Sequence, residues 1–304
     1  MDVYGQDPEL ALLRNIIACL NDRSMIDVGA EQGSLAHAML AAGVQELHAF
    51  DPHHDNAEAI RTRFAGERRV TVHELAISDG DGTGELHISS RPDGSPLSFG
   101  HTLLEREDTD EVAWGQTVAV ERRSLGSLLE AAEIPSHVGI LKVDTEGHDL
   151  AVVQGMGTLE ADVVMVEHWT ELPNGLGRCP WTAQQMLDEL ASRGYTHFGF
   201  IVHRGEFVTL KWDDAEVEPG AMGNLIFFHE RVVADMLGLI LESASQLAEQ
   251  AVRVGQMYMR AAVERLALVD ELSEIAEARR QALELTTAKI KEKAAELELL
   301  RGPK

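Results

Sequence analysis

The sequence predicts an α/β fold with a largely parallel sheet, followed by a long C-terminal helix. Between residues 7 and 230, short apolar runs alternate with segments of helical periodicity, which is typical of βαβ units. A glycine turn, Gly29-Ala30-Glu31-Gln32-Gly33, joins the first apolar run to the first helix that follows it. After Arg231 the only proline is Pro303, and apolar residues recur three and four positions apart, as in a coiled-coil helix.

The elements follow from apolar spacing and from glycines that end helices. We expect helices at about residues 7–20, 34–42, 55–65, 124–133, 149–156 and 181–193. We expect strands at about residues 24–28, 46–50, 70–75, 84–89, 118–122, 138–143, 162–166, 195–203, 207–212 and 223–229. The segment 90–117 shows no period. Loops of this length in compact domains are often functional, so we expect it to bind the acceptor substrate. The alternative is a segment that is simply disordered.

Composition and charge exclude several classes of function. The 304 residues are 44% hydrophobic, enough for one large domain with an extension. Residues 231–304 hold 11 Lys+Arg against 12 Asp+Glu, so nearly all of the net charge of −25 lies in residues 1–230. Such an acidic surface repels phosphate backbones, and we expect no nucleic-acid partner.

The chain shows no membrane or secretory signal. No apolar run approaches the roughly 18 residues of a membrane span, and no signal peptide is apparent. Cys19 and Cys179 have neither metal-ligand spacing nor the pattern of a disulfide framework. These features favour a cytoplasmic protein.

The glycine turn and its neighbours favour one kind of ligand. Gly29 and Gly33 have the spacing Gly-x-x-x-Gly, unlike the Gly-x-Gly-x-x-Gly of dinucleotide sites, so a nicotinamide oxidoreductase is disfavoured. Asp27 lies within the end of the preceding strand, where a carboxylate needs a donor to offset its desolvation. A cationic ligand with an amino group would supply that donor, and S-adenosylmethionine fits this description. The alternative is an α/β protein whose turn holds no ligand.

Two later segments support the same cofactor. Asp51 follows the second strand about twenty residues after the turn, where an acid can bind ribose hydroxyls. Ala76 and Ile77 follow the third strand, and small residues there would let an adenine ring lie flat against the backbone. The alternative for this segment is a β-turn that leads into the next strand.

A second set of reactive side chains follows two more strands. Lys142, Asp144, Glu146 and His148 lie at the end of one strand, and the pair Glu167-His168 ends the next. Ligands in open α/β sheets bind at the carboxyl ends of strands, so these groups could orient or deprotonate a hydroxyl acceptor. The alternative is that the acids cap a helix or form surface ion pairs.

These motifs together resemble the FkbM family of S-adenosylmethionine-dependent methyltransferases. The resemblance covers about residues 20–230, and its most specific piece is Lys-x-Asp-x-Glu-Gly at Lys142–Gly147. The other segments that carry it are Met25–Gly33, Phe50-Asp51-Pro52, Ala76-Ile77-Ser78, Gln154-Gly155 and Val164–Glu167.

The resemblance implies a class I methyltransferase fold, which is Rossmann-like, with a largely parallel seven-stranded sheet and an antiparallel last pair. It also implies methyl transfer to a hydroxyl of a sugar, a glycan or a glycosylated small molecule. The chain departs from the family at two positions. Glu31 stands where Asn is usual, and Asp51 stands where Glu is usual, so the cofactor contacts of these two residues are expected to differ.

The predicted site residues divide into two groups. We expect the cofactor to contact Asp27, Gly29, Glu31, Gly33, Asp51, Ala76 and Ile77. Asp144 and His148, then His168, are candidates for the general base, while Glu146 and Glu167 would bind the acceptor or hold a lysine such as Lys142. Some related O-methyltransferases use a divalent metal. Asp144, Glu146 and Glu167 could supply oxygens to Mg²⁺, but we favour a reaction that needs no metal.

The sequence favours two domains, a methyltransferase domain over residues 1–230 and a helical coiled coil over residues 231–304. The apolar seam of the second part has a four-residue stutter between Ala261 and Val269. We expect it to form a homo-oligomer or to bind a coiled-coil partner. The alternative is a helix folded back on its own domain or a solvated helix. A different functional hypothesis is a non-catalytic or cofactor-sensing scaffold that oligomerises through this helix.

Overall fold

The computed structural model describes residues 8–170, 178–204, 207–212, 221–234 and 236. The chain divides into two compact units, Met1–Ala248 and Glu249–Lys304. The predicted coiled coil lies almost wholly outside the described residues, since only its first helical residues, 231–234 and 236, are described. The domain boundary after residue 230 therefore stays a prediction.

The elements alternate between strands and helices as the sequence predicts. The helices of the described residues are α1 (Pro8–Cys19), α2 (Ser34–Ala42), α3 (His54–Arg63), α4 (Leu125–Glu130), α5 (Asp149–Gln154) and α6 (Ala183–Ala191). The strands of the described residues are β1 (Ser24–Val28), β2 (Glu46–Phe50), β3 (Val70–His73), β4 (Ala76–Ile77), β5 (Gly82–Ser90), β6 (Ala113–Arg123), β7 (His137–Val143), β8 (Glu160–Trp169), β9 (Tyr195–Arg204), β10 (Phe207–Trp212) and β11 (Met222–His229).

The main sheet has the order β10-β9-β11-β8-β7-β1-β2-β3. Its pairs from β8 to β3 are all parallel. The last strand, β11, lies between β8 and β9 and is antiparallel to both, which confirms the expected antiparallel strand. The sheet has eight strands in the described residues rather than the predicted seven, because β10 extends the edge as an antiparallel neighbour of β9.

Two cores lie on the two faces of this sheet. Alternation along the strands divides their side chains, so that Ile26 and Val164 join one core while Met25 and Val163 join the other. The second core is covered by α1 and α2. Apolar side chains of both helices, such as Ile16 of α1, belong to this core. All five residues of β1 are buried, as expected for a central strand covered on both faces.

A second, smaller sheet stands beside the cofactor half of the main sheet. Its order is β4-β6-β5, with β4 parallel to β6 and β5 antiparallel to it. The segment Ala76–Ile77, for which the sequence left a β-turn open as an alternative, is a short strand. The loop from Arg91 to Val112 leaves this sheet and returns to it.

Two helix starts are fixed by side chains as the sequence indicates. Ser124 accepts a hydrogen bond from the backbone N–H of Ser127 and caps α4, while Thr182 and Gln185 form a capping box at α6. Within the part of the chain that the structure describes, no helix is both long and apolar enough to cross a bilayer.

Candidate active site

The carboxyl ends of the parallel strands surround one cavity of about 340 Å³. This volume lies in the usual range for small-molecule sites. Most of the site residues predicted from the sequence line it, namely Asp27, Gly29, Glu31, Asp51, Ala76, Ile77, Lys142, Asp144, Glu146 and His148. Gly33, Glu167 and His168 are not part of this lining.

The glycine turn closes one side of the cavity. The backbone N–H groups of Gly29 and Ala30 both donate to the carbonyl of Phe50, at 2.9 and 3.0 Å. Gly29 has φ +80°, and a Cβ on it would lie 1.7 Å from the backbone oxygen of Asp144. The turn thus needs glycine for its conformation and for its close approach to the strand end of β7.

Glu31 also has a positive φ, of 50°. This left-handed conformation is easier for Asn than for Glu, which gives a physical reason for the usual Asn at this position. Here the Glu31 side chain accepts a hydrogen bond from the Ser98 hydroxyl at 2.6 Å. The departure from the family therefore ties the turn to the long loop.

Asp51 braces the turn from the end of β2. Its carboxylate accepts from the backbone N–H groups of Glu31 and His53, each at 2.9 Å. It also accepts from the Asn56 amide at 3.3 Å. Burial raises the pKa of Asp51 to about 7 despite these donors. Asp51 therefore holds the backbone of the glycine turn and also lines the cavity.

Asp27 and Lys142 face each other across the pairing of β1 with β7. Asp27 is fully buried, and neither of its carboxylate oxygens has a hydrogen-bond partner in the structure. Its nearest cation is the Lys142 ammonium, 3.8 Å away. That ammonium instead donates to Asp144 at 2.9 Å. Asp27 is thus a buried acid whose nearest cation donates its hydrogen bond to a different acid. Burial raises the pKa of Asp27.

The ammonium of Lys142 stays charged at this site. Burial lowers the pKa of Lys142, but the negative charges of Asp144 and Asp27 outweigh that effect and raise it overall. One buried cation therefore stands between two acids at the end of neighbouring strands.

Three carboxyl groups meet beyond Lys142. Oxygens of Asp144, Glu146 and Glu167 lie within 4.8 Å of one another. Burial, followed by the charge of Asp144, raises the pKa of Glu146 to about 7 and that of Glu167 well above its ordinary value. This carboxyl cluster of Asp144, Glu146 and Glu167 can share protons, and its oxygens could also hold a divalent cation.

Asp149 holds the turn that carries Glu146 of the carboxyl cluster. It is fully buried, and its carboxylate accepts from the backbone N–H groups of Thr145 and Gly147, at 3.3 and 3.1 Å. Burial and the charge of Asp144 raise the pKa of Asp149 to about 7. The sequence suggested only a helix cap here. An acid two residues after a Glu-Gly turn was the available signal for a bracing role.

The two predicted histidines lie in different places. His148 lines the cavity, and its Nε2 lies 2.9 Å from the hydroxyl of Ser78. His168 is buried beside Trp181 and Phe200, with ring centroids 4.6 and 6.1 Å apart. Burial lowers the pKa of His168 to about 4. The structure therefore brings His148, but not His168, to the cavity.

The long loop covers the open side of the cavity, which is where a substrate-binding loop was expected. Asn56 donates to the carbonyl of Ser98 at 2.9 Å, in addition to its contact with Asp51. Thr102 and Arg106 both donate to the backbone carbonyl of Glu146, at 3.1 and 2.8 Å. The long loop is thus connected both to the glycine turn and to the carboxyl cluster. Asn56 was missed by the sequence analysis, since a lone Asn in a helix carries no spacing signal.

Comparisons with known proteins agree with this architecture. A hexuronic acid methyltransferase, AglP, of Haloferax volcanii is 24% identical over 155 residues, which are 51% of this chain and 58% of that protein. The chain thus matches less than two thirds of that relative's length.

Two solved structures are similar in outline. The N-methyltransferase NodS of Bradyrhizobium japonicum is 6% identical with a TM-score of 0.41, over 75% of this chain and 97% of that one. A methyltransferase of Aquifex aeolicus is 11% identical with a TM-score of 0.36, over 73% and 88%.

The family model gives the firmer result. The model described as the methyltransferase FkbM domain matches residues 27–196, which is more than half of the chain. That range begins at Asp27 and includes the glycine turn, Asp51, and the carboxyl cluster at the ends of β7 and β8. The chain belongs to the FkbM methyltransferase family.

Proposed function

We propose that the protein is an S-adenosylmethionine-dependent O-methyltransferase that acts on a hydroxyl of a sugar, a glycan or a glycosylated small molecule. The observation that carries the proposal is Asp27. A buried carboxylate with both oxygens unpaired costs several kcal/mol in the absence of a partner, on the order of a lost charged hydrogen bond or more. It lines the cavity at the end of β1, where the ammonium of the cofactor would pair with it.

The bound cofactor would supply a methyl group on a good leaving group, so the protein needs no covalent intermediate. The chain's own residues then have two tasks, which are to align the acceptor hydroxyl and to take its proton. Asp144 and Glu146 line the cavity at the end of β7. The pKa of Glu146, about 7, suits a base that works near neutral pH. Lys142 holds Asp144 in place.

The charge of the site favours an uncharged acceptor. The name of the Haloferax volcanii relative refers to a hexuronic acid, which is an anion. In this chain the acceptor end of the cavity is lined by the acids Asp144 and Glu146, and their ionised forms would repel an anionic acceptor. We therefore place a neutral hydroxyl there. Incubation with labelled cofactor and matched pairs of neutral glycosides and uronic acids would test this, and preferred labelling of the uronic acids would contradict it.

The decisive test of the cofactor is calorimetric titration with S-adenosylhomocysteine. The native protein should bind in the micromolar range, and the Asp27→Ala variant should lose binding. Asp55, an acid in the first turn of α3 that does not line the cavity, provides the control, and Asp55→Ala should bind normally. No binding by the folded native protein would refute the proposal and favour the alternative of a non-catalytic scaffold.

The three clustered carboxyls require a separate test for metal. We propose that the reaction needs none, because the Lys142 ammonium already supplies a cation to Asp144. Activity should be retained after exhaustive treatment with EDTA. Loss of activity that Mg²⁺ restores would show that Asp144, Glu146 and Glu167 hold a required ion.

We also propose that residues 231–300 mediate self-association, since apolar residues recur along a seam with one stutter. The second half of the seam is the weaker one, because Arg279, Thr286 and Lys293 occupy seam positions. Size-exclusion chromatography with light scattering on the full chain at micromolar concentration is the test. A monomer under these conditions would contradict the proposal.

A further inference from the structure

The cavity lining combines two kinds of chemistry. It includes the acids Asp27, Asp144 and Glu146 from the main sheet. It also includes an apolar wall of Leu75, Ala76, Ile77 and Leu86, which lie on or beside strands of the small sheet. His148 also lines the cavity and is tied to the apolar wall, because its Nε2 lies 2.9 Å from the hydroxyl of Ser78, the residue after Ile77. It is therefore a polar side chain placed where the surroundings suit a flat, apolar ring.

The partners of Ser78 fix the tautomer of His148. The Ser78 hydroxyl donates its single proton to the carboxylate of Asp79 at 2.9 Å. It can then only accept from His148, so the proton of the neutral imidazole lies on Nε2. Burial lowers the pKa of His148; the charge of Asp79 opposes this shift and that of Arg122 adds to it. The ring is therefore neutral at neutral pH.

The other ring nitrogen is left as an acceptor. Among the described residues, no hydrogen bond to Nδ1 of His148 is present. An acceptor beside an apolar wall matches adenine, which offers flat faces for contact and an exocyclic amino group as donor. Ser78 is itself fixed, since its backbone N–H donates to the carbonyl of Arg123 at 2.9 Å. The acceptor is therefore held on a rigid support.

Resting on the proposed function, we propose that His148 recognises the adenine amino group of the cofactor through Nδ1 and is not the general base. This assigns the base to the carboxyl groups at the end of β7. It gives His148 a role in selecting the cofactor rather than in moving the acceptor proton.

The test compares S-adenosylhomocysteine with its analogue in which hydrogen replaces the 6-amino group, by calorimetric titration. The native protein should bind the amino form about five- to tenfold more tightly, the effect of one hydrogen bond. In His148→Ala the two ligands should bind equally, because only the amino form loses a contact. His54, whose side chain is 69% exposed, provides the control, and His54→Ala should keep the native ratio.

Ser78→Ala gives a second, smaller perturbation that leaves His148 in place. It removes the group that fixes the tautomer, and the affinity ratio should fall to about half of the native value, within the range of a weakened hydrogen bond. An unchanged ratio in both variants, or equal affinities in the native protein, would overturn the inference. Failure of the native protein to bind either ligand would instead refute the proposed function itself.

Discussion

Charged side chains lie at both ends of the main sheet, but their hydrogen bonding differs between the two ends. At the amino end, Asp22 and Asp162 both bind His137, at 2.8 and 3.1 Å, and Arg231 donates to Asp162 at 2.7 Å. At the carboxyl end, Asp27 has no hydrogen-bond partner although it is fully buried.

The pKa directions follow this difference. Burial raises the pKa of Asp22, but hydrogen bonds from Ser24 and His137 outweigh it and lower the pKa overall. At the other end, burial dominates and raises the pKa of Asp27, Asp51 and Glu146. A charge cluster whose hydrogen bonds outweigh burial stabilises the fold, whereas acids whose pKa is raised by burial in a cavity are typical of a functional site. Variants at matched positions can test that distinction.

The largest effect is expected from the glycine turn. Gly29→Ala places a Cβ 1.7 Å from the backbone oxygen of Asp144 at φ +80°, and should cost about 4 kcal/mol of unfolding free energy, as for severe core disruption. Gly66 has a similar φ, +86°, with nothing within 4 Å of an added Cβ. Gly66→Ala should therefore cost only about 1 kcal/mol, the backbone strain alone. Urea denaturation measures both, and equal losses would show that contact with Asp144 is unimportant.

This turn also shows how far the sequence could predict the site. Strand ends with acids follow from apolar runs and glycine spacing, and β1 and α2 have the predicted bounds. Asn56 could not be found in this way, because its side-chain amide donates to the carbonyl of Ser98, 42 positions along the chain. Asp149 offered only a weak local signal, since it accepts from the backbone N–H of Gly147, two positions before it. The bridge from Ser98 to Glu31 joins residues 67 positions apart, and no local pattern encodes such a contact.

His168 illustrates a different limit. It is adjacent to Glu167 in sequence, but successive side chains of a strand point to opposite faces. Glu167 therefore points into the carboxyl cluster, while His168 packs against Trp181. Strand periodicity, applied to β8, would have separated the two. The short strand β4 could not be predicted, because two residues carry no period.

The next effect compares one acid from each end of the sheet. Asp162→Asn should lower the unfolding free energy by about 1–2 kcal/mol, because Arg231 and His137 lose a charged acceptor. Asp27→Asn should not lower it, because it removes a buried charge that makes no hydrogen bond.

Ligand affinity should show the reverse order. Asp27→Asn should weaken binding of S-adenosylhomocysteine at least about tenfold, the value of a charge-assisted hydrogen bond, while Asp162→Asn should leave it unchanged. Thermal denaturation and calorimetry together provide the measurement. A stability loss at Asp27 as large as that at Asp162 would remove the distinction between the two ends.

The pH dependence should separate the two ends further. The raised pKa values of Asp51, Glu146 and Asp149, each about 7, mean that the folded state holds protons that the unfolded state releases near pH 4. Their contribution to stability is present below about pH 4 and is lost as the pH rises to about 7. Asp22, with a lowered pKa, contributes in the opposite sense, so its contribution is lost as the pH falls below about 4.

Binding of the cofactor should oppose the rise in the pKa of Asp27 that burial causes. A ligand ammonium beside Asp27 favours the ionised acid and opposes the effect of burial on its pKa, so binding should release protons in the pH range where Asp27 of the free protein is protonated. Calorimetry in buffers of different ionisation enthalpy measures this release, which should decrease in Asp27→Asn. Binding without proton exchange would show that the raised pKa values do not respond to the ligand.

The smallest effect tests whether the long loop contributes to the ligand-binding end. Ser98→Ala removes the hydrogen bond to Glu31 and should weaken binding of S-adenosylhomocysteine about two- to fivefold, since a partly exposed hydrogen bond contributes about 0.5–1 kcal/mol. Ser95 lies in the same loop, but its hydroxyl donates to Asp93, away from the turn. Ser95→Ala should therefore leave the affinity unchanged, and an equal loss in both variants would mean that general loosening of the loop, not its bond to the glycine turn, supports the site.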